Sequence, residues 1–409
     1  MPVSFRSAAV LNKVCATIAV MAIAACTPPP APKPVPPPAP PVQQAHRTVA
    51  QHPLTSDQPG FIRLSNTPKD RVPVRVGVLL PFSNGSVATR NLAKAMMNAA
   101  QMAIFDARNR DILLMPADEG SNPQTAASAA RTLIGQGAEV IVGPLFATSV
   151  SAVAPIARDR GIPVISFSTD RSVGGDGVYL LSFQPEAEVD RVITYAAAQG
   201  HKNFTALIPR TAYGDRVLKA FNADTAAKHL TVRAIFRFDP RAPDLGQTAT
   251  SASASGADAV LIAQGGQPLA VMAAGFGTPH PQLLGTGLWA DKALAREAIL
   301  TGGWFAAPTP SADVSFENRY RSAYGAAPAQ LAPLAYDAIS LVAALASGTP
   351  YHRFTDAALT DANGFSGISG VFRLRADGSC DRGLAVLSMR PDGFHVVDPA
   401  PKTFQVPAS

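Results

Sequence analysis

From residue 74 onward the chain repeats one order of elements: a short unbroken apolar run, a polar loop, then an amphipathic stretch of helical period. The run VRVGVLL at 74–80 shows no in-out alternation, as a strand buried on both faces requires. Residues 88–109 place Leu92, Met96, Ala99 and Ala103 on one helical face. Further apolar runs follow at 112–115, 140–142 and 164–166, with helical stretches at 123–136 and 148–160 that end at Gly137 and Gly161. Short apolar strands alternating with amphipathic helices specify a parallel sheet wound by right-handed crossovers.

The pattern then starts again. Helices are expected over 189–199, 214–228, 245–255 and 268–274, with strands over 204–208, 232–236, 259–262 and 283–285. Two successive α/β units of this size form two Rossmann-like lobes, and 409 residues at 47% hydrophobic composition can fill both cores. The charge balance is +6, or +4 without Arg6 and Lys13, and it is spread along the chain instead of gathered into a basic stripe with aromatics. That argues against nucleic acid as a partner. Three cysteines and seven histidines without ligand spacing give no expectation of a metal site. Motifs of serine hydrolases, P-loops and dinucleotide sites are absent from the sequence, so no catalytic residue and no cofactor is assigned. The segment 174–177, Gly-Gly-Asp-Gly, reads as a turn between strands. Asp337, inside a helix, is either a packing feature or an acid near a cleft.

Ahead of the lobes, Arg6 and Lys13 precede an apolar stretch at 14–25, too short for a permanent membrane span but suited to a secretory leader. It ends Ile23, Ala24, Ala25, Cys26. Small residues before a cysteine resemble the lipobox of bacterial lipoproteins, which implies lipidation at Cys26 and an anchor in the membrane. Thr27, where an aspartate would favour inner-membrane retention, implies delivery to the outer membrane, facing the periplasm. Ten of the 37 prolines lie at 28–41. Polyproline II geometry would extend that run to roughly 40 Å. Residues 42–73, polar and proline-broken, complete an expected disordered linker over 26–73.

The phrases VRVGVLLPFSNG, GAEVIVGPLFATSVSAVAPIARDRGIPVISFST, AYGDRVLKAF, FENRYRSAYGAAPAQLAPLAYDAISLVAAL and FSGISGVF stand in this order along the folded part. Together they resemble type I periplasmic binding proteins of the leucine/isoleucine/valine-binding group, over about residues 74–397. The resemblance implies three crossings between lobes, with lobe one over 74–188 plus 307–364 and lobe two over 189–306 plus 365–400. With the lipobox and proline spacer, the chain looks most similar to the penicillin-binding-protein activators. These are lipoproteins of the same fold whose partner is a peptidoglycan synthase. The alternative within the same fold is the solute receptor of an amino-acid or amide ABC transporter.

In open α/β lobes ligands sit beyond the carboxyl ends of strands. The loop 143–149 leaves a strand and opens a helix. Its Phe146, Thr148 and Ser149 either serve a ligand, or Thr148 or Ser149 simply caps the helix. Ser83 follows the first strand. Ser168 and Thr169 follow the fourth, as ligand hydroxyls by resemblance or as an ordinary turn. Tyr213 either closes over a ligand, as in relatives, or packs at a helix start. Gln264, Gln267 and Trp289 complete the expected ring. An amino-acid ligand needs an acid from lobe two for its ammonium, and none occurs near Thr286 before Asp291.

Overall fold

A computed structural model of the chain describes residues 60–65, 72–107, 111–277 and 279–404. The expected leader, Cys26 and the linker up to residue 59 lie outside the described residues. The first lobe is built on a five-stranded parallel sheet with order β2-β1-β3-β4-β5. Its strands are β1 (Val74–Leu80), β2 (Ile112–Asp118), β3 (Val140–Val142), β4 (Val164–Ser166) and β5 (Val178–Leu180). All seven residues of β1 are buried, as befits a strand paired on both sides by β2 and β3. Each fully buried Val or Leu of this kind contributes roughly 1.5–3 kcal/mol. The connecting helices are α1 (Val87–Asp106), α2 (Pro123–Gly135) and α3 (Ala147–Arg158). Their starts follow local chemistry: Ser86 caps α1, and Asn122 accepts from the Thr125 N–H at 2.9 Å while Pro123 takes the first helical turn.

The second lobe carries a seven-stranded sheet with order β15-β14-β10-β9-β8-β6-β7. Five of these strands run parallel: β6 (Asn203–Pro209), β7 (Thr231–Phe238), β8 (Ala259–Ile262), β9 (Gln282–Gly285) and β10 (Trp304–Ala307). Helices α4 (Pro185–Ala198), α5 (Ala212–Ala227), α6 (Leu245–Ser253) and α7 (Gly266–Ala273) cover it. At the edge, β7 exposes Val232 and Ile235. The chain then returns. Helices α8 (Pro310–Tyr324) and α9 (Ala332–Leu345) pack on α1, where the Tyr324 hydroxyl donates to the Asn98 carbonyl at 2.9 Å. After the short α10 (Asp356–Leu359), a small antiparallel sheet forms from β11 (Phe365–Gly367), β12 (Gly370–Leu374) and β13 (Cys380–Arg382). The chain finishes in lobe two with antiparallel β14 (Ala385–Arg390) and β15 (Gly393–Asp398).

The resemblance assigns residues 365–400 to lobe two, whereas the small sheet packs into the first lobe's core through Phe365, Phe372, Leu374 and Cys380. A buried ion pair fixes it there. Asp337 of α9 is fully buried and accepts the Ile368 N–H at 2.6 Å, and Arg382 approaches it at 3.5 Å. Arg382 also stacks on Phe183 and Phe372, with 4.6 and 5.4 Å to the ring centroids. Its guanidinium nitrogens find no hydrogen-bond acceptor among the described residues, so Asp337 is its sole counter-charge there. Asp337 is thus a structural acid under the small sheet. Burial, offset in part by Arg382, pushes its carboxyl up to about 6.

Removing one partner of a buried pair strands the other. Asp337→Ala is expected to lower unfolding free energy by about 3–5 kcal/mol. Arg382→Met, which keeps the contact with both rings, should cost less. Denaturant midpoints of the two variants check the order, and equal losses would show that the pair itself does not hold the small sheet.

Candidate functional site at the strand exits

Parallel strands send all their carboxyl ends to one edge of each sheet, and the candidate residues lie along those two edges. In lobe one, Gly143 follows β3 with φ of 100°, and a Cβ there would lie 2.0 Å from the Leu79 carbonyl oxygen. Only glycine lets the loop pass so close to β1. The loop's N–H groups do not stand free. Glu119, fully buried after β2, accepts from Leu145 N–H at 2.8 Å and Phe146 N–H at 2.9 Å. Burial raises the Glu119 carboxyl, and those two N–H bonds with the Ser149 hydroxyl offset part of the rise. The N-cap of α3 is Phe146, whose side chain cannot cap, so neither Thr148 nor Ser149 is the N-cap. Glu119 instead binds the N–H groups of Leu145 and Phe146, the two residues that lead into the helix, beside an N-terminus that favours an anion. Ser149 is buried, while Thr148 and Phe146 are exposed, Phe146 to 37%.

The other lobe-one candidates are similarly engaged. Ser83 donates its hydroxyl to Asp118 and its N–H to the same carboxylate at 3.1 Å. Burial would raise Asp118, but these bonds and the Gly120 N–H outweigh it and hold the acid below its ordinary range. Ser168 is buried and its hydroxyl accepts from Asp170 N–H at 3.1 Å, while its carbonyl accepts from the Ser182 hydroxyl at 3.0 Å. Thr169 is exposed.

In lobe two, Thr211 caps α5 and so orients Tyr213, whose hydroxyl meets the Thr286 hydroxyl at 2.7 Å. Burial pushes the Tyr213 phenol well up. Gln264 turns its amide onto the neighbouring Gly265 carbonyl at 3.0 Å, and Gln267 is exposed in the first turn of α7. Trp289 does not reach the edge. It is 0% exposed, lies flat against Gly285, whose added Cβ would come within 2.1 Å of the indole, and donates to the Ile262 carbonyl at 3.3 Å. The size and apolarity that drew attention to Trp289 also make it the largest fully buried side chain. Its neighbour Leu288, 43% exposed, takes the edge position instead.

Two charged residues not assigned from sequence dominate the geometry. Glu188, 7% exposed, accepts from Gly287 N–H at 3.0 Å beside Tyr213. It supplies the acid that the Thr286 loop lacks, from 99 residues earlier in the chain. Arg216 of α5 makes two bonds to Glu186, at 2.9 and 2.5 Å, and one to the Gln184 side-chain amide oxygen Oε1 at 2.5 Å. It also donates to the Thr169 backbone carbonyl in lobe one. The signal for Glu188 was Pro185: read as the first residue of a helix, it places Glu186 and Glu188 in the opening turn of α4. Among the described residues no group of three or more His, Cys, Asp or Glu side chains is placed to hold a metal ion. The strand edges thus present hydrogen-bonding and apolar contacts, with most donors already paired internally.

Burial pushes the Glu188 carboxyl from its ordinary 4.5 up to about 7, the Gly287 N–H offsetting only part of the rise. Between those values the folded chain holds a proton that the unfolded chain has released. The group therefore favours the folded state fully below pH ~4.5, and that contribution is lost as pH rises through about 7. Glu188→Gln keeps an acceptor for Gly287 and never ionises. It should match the native protein at pH 4.5 and melt higher at pH 8, by up to about 3 kcal/mol in stability. Melting curves at the two pH values check this, and an equal difference at both would remove Glu188 as the cause.

Residues 73–393 match the family of periplasmic binding proteins. Among curated proteins, the chain is 26% identical over 160 residues to penicillin-binding protein activator LpoA of Vibrio cholerae, covering 37% of this chain and 25% of that one. It is 24% identical over 149 residues to an uncharacterised protein of Rickettsia prowazekii, covering 36% and 39%. The chain thus spans well under half the length of either relative. Among solved structures, a putative branched-chain amino acid ABC transporter protein from Rhodospirillum rubrum superposes with a TM-score of 0.72 at 16% identity, over 80% of this chain and all of that one. A substrate-binding protein from Desulfitobacterium hafniense in complex with Leu superposes at 0.61 and 20% identity, over 80% of this chain and all of that one. With its two lobes built on a parallel and a mostly parallel sheet and this match, the chain belongs to the type I, leucine-binding-protein-like group of periplasmic binding proteins.

Proposed function

We propose that this protein is a non-enzymatic, lipid-anchored lipoprotein of the outer membrane whose two-lobed domain regulates a peptidoglycan synthase by contact in the periplasm. One observation carries the reading. Two N–H groups of the loop after β3, those of Leu145 and Phe146 beside the start of α3, are held by the chain's own Glu119. A carboxylate ligand would have to displace that acid or lie beside a like charge. The partial similarity to the Vibrio cholerae activator and the lipobox-like end of the leader at Cys26 support the same reading. The proline-rich run at 28–41 would give the domain reach toward synthases held in the inner membrane.

A second reading, the solute receptor of an amino-acid or amide ABC transporter, rests on Glu188. This acid in lobe two stands beside Tyr213 and is suited to an ammonium group. Its N–H partner and raised ionisation both weaken it as an ammonium receptor at neutral pH.

The full-length protein is expected to raise glycan polymerisation or crosslinking by a purified synthase from the same organism, and no change with any such synthase overturns the regulator reading. Free amino acids should leave its melting temperature unmoved. A ligand at a hundredfold its dissociation constant would add about 2.7 kcal/mol of stability. A shift with leucine that Tyr213→Ala abolishes would establish the receptor reading instead. Cys26→Ser should release the protein from outer-membrane fractions, and continued sedimentation with membranes would rule out the anchor.

A further inference from the structure

We infer that Arg216 is a latch that holds the two lobes together in the absence of any small molecule. The inference goes beyond the reading of function above and stands under either version of it. In lobe two the guanidinium is oriented by the two bonds to Glu186, so its planar fork is fixed before it meets lobe one. From that position it donates to the Thr169 carbonyl, across the gap between the lobes.

A second route joins the same two points. Arg216 donates to Gln184 at 2.5 Å, the Gln184 amide donates to the Ser182 hydroxyl at 2.6 Å, and Ser182 donates to the Ser168 carbonyl at 3.0 Å. Gln184 and Ser182 lie on the first crossing between lobes, and both are buried. The loop after β4 is therefore gripped at two successive carbonyls, Ser168 and Thr169, by a network that begins in lobe two. That loop is itself stiff: Ser168 N–H donates to the Ser166 hydroxyl at 3.0 Å, and Ser166 donates to the Pro144 carbonyl at 3.0 Å.

Asp170 adds to the grip, since its carboxylate, held low first by the Ser172 hydroxyl and N–H, also feels the charge of Arg216. An ion pair between the lobes, Lys292 to Glu317 at 3.8 Å, has a largely exposed lysine and adds little. A hinged pair of lobes ordinarily closes on a ligand that bridges both. Here a side chain of lobe two occupies that bridging role. The resting state is closed, and the work of any partner or ligand is to break the latch.

The test measures the distance between the lobes in the full chain. Spin labels at Gln124→Cys on α2 and Lys219→Cys on α5, both exposed sites, report it with Cys15 and Cys26 changed to Ser. Cys380 is buried with its thiol pushed up to about 11, and stays unlabelled. With no ligand added, the otherwise native chain should give one short-distance population. Arg216→Ala should raise a longer-distance population about tenfold or more, the effect of losing charge-assisted bonds. If Arg216→Ala fails to fold by circular dichroism, Arg216→Lys, which keeps the charge without the fork, should give the same longer population to a smaller extent. A distance distribution unchanged in the folded variant, or a native chain already split between two distances, would overturn the latch. Synthase activation is not part of this readout, so failure of the latch leaves the regulator reading untouched.

Discussion

The structure is governed by what must satisfy the backbone at the ends of its parallel strands. A parallel sheet delivers every strand exit to one edge, where a loop turns into a helix and leaves N–H groups without intrahelical partners. In this chain the exit after β3 is satisfied by Glu119, the exit after β9 by Glu188, and the loop after β1 by Asp118. Each of these acids comes from a different element than the loop it serves. The strand exits are therefore tied to one another before any other molecule arrives, and the burial that accompanies the ties raises both Glu119 and Glu188.

Internal satisfaction of this kind changes what the two-lobed fold can do. A binding protein for small polar solutes needs donors and acceptors left open to its ligand, since buried groups without partners are costly. Ser83, Ser168 and Gln264 each have a side-chain hydrogen bond within the chain, while the exposed residues near the exits include Ser83, Phe146, Thr148, Thr169, Gln267 and Leu288. The exposed set mixes apolar and hydroxyl surface. That composition suits a protein contact at least as well as a small solute.

Much of the architecture was legible in the sequence because it depends on local periodicity. The fully apolar 74–80, the helical face through Leu92, Met96, Ala99 and Ala103, and the restart after residue 188 all survive within a few residues. The strands after residue 364 were not legible. β11 to β13 are short and only partly buried, and their place under lobe one is set by Asp337 and Arg382, which lie 45 residues apart and carry no local pattern. The candidate edge residues were located by a rule about strand exits, and in the structure Tyr213, Thr148 and Thr169 lie in the loops and first helical turns that follow strands. The same rule does not distinguish a side chain that faces the edge from one that folds inward, and so it took in Trp289. Nor does it find an acid that arrives from elsewhere, as Glu119 and Glu188 do.

The latch and the internal acids have one consequence in common. Arg216 already has Glu186 as counter-charge, so an incoming carboxylate gains little from it and meets Glu119 on the lobe-one side. An incoming cation fares little better, because Glu188 is pushed up to about 7 and loses much of its charge near neutrality. Charge recognition at the strand edges is thus weakened for both signs by the groups that hold the edges together. What remains is the apolar and hydroxyl surface around Phe146 and Leu288, together with the freedom of the lobes to part when Arg216 lets go. A partner that pries at that surface would act on the lobe equilibrium directly, with binding energy drawn from contact area instead of from charge.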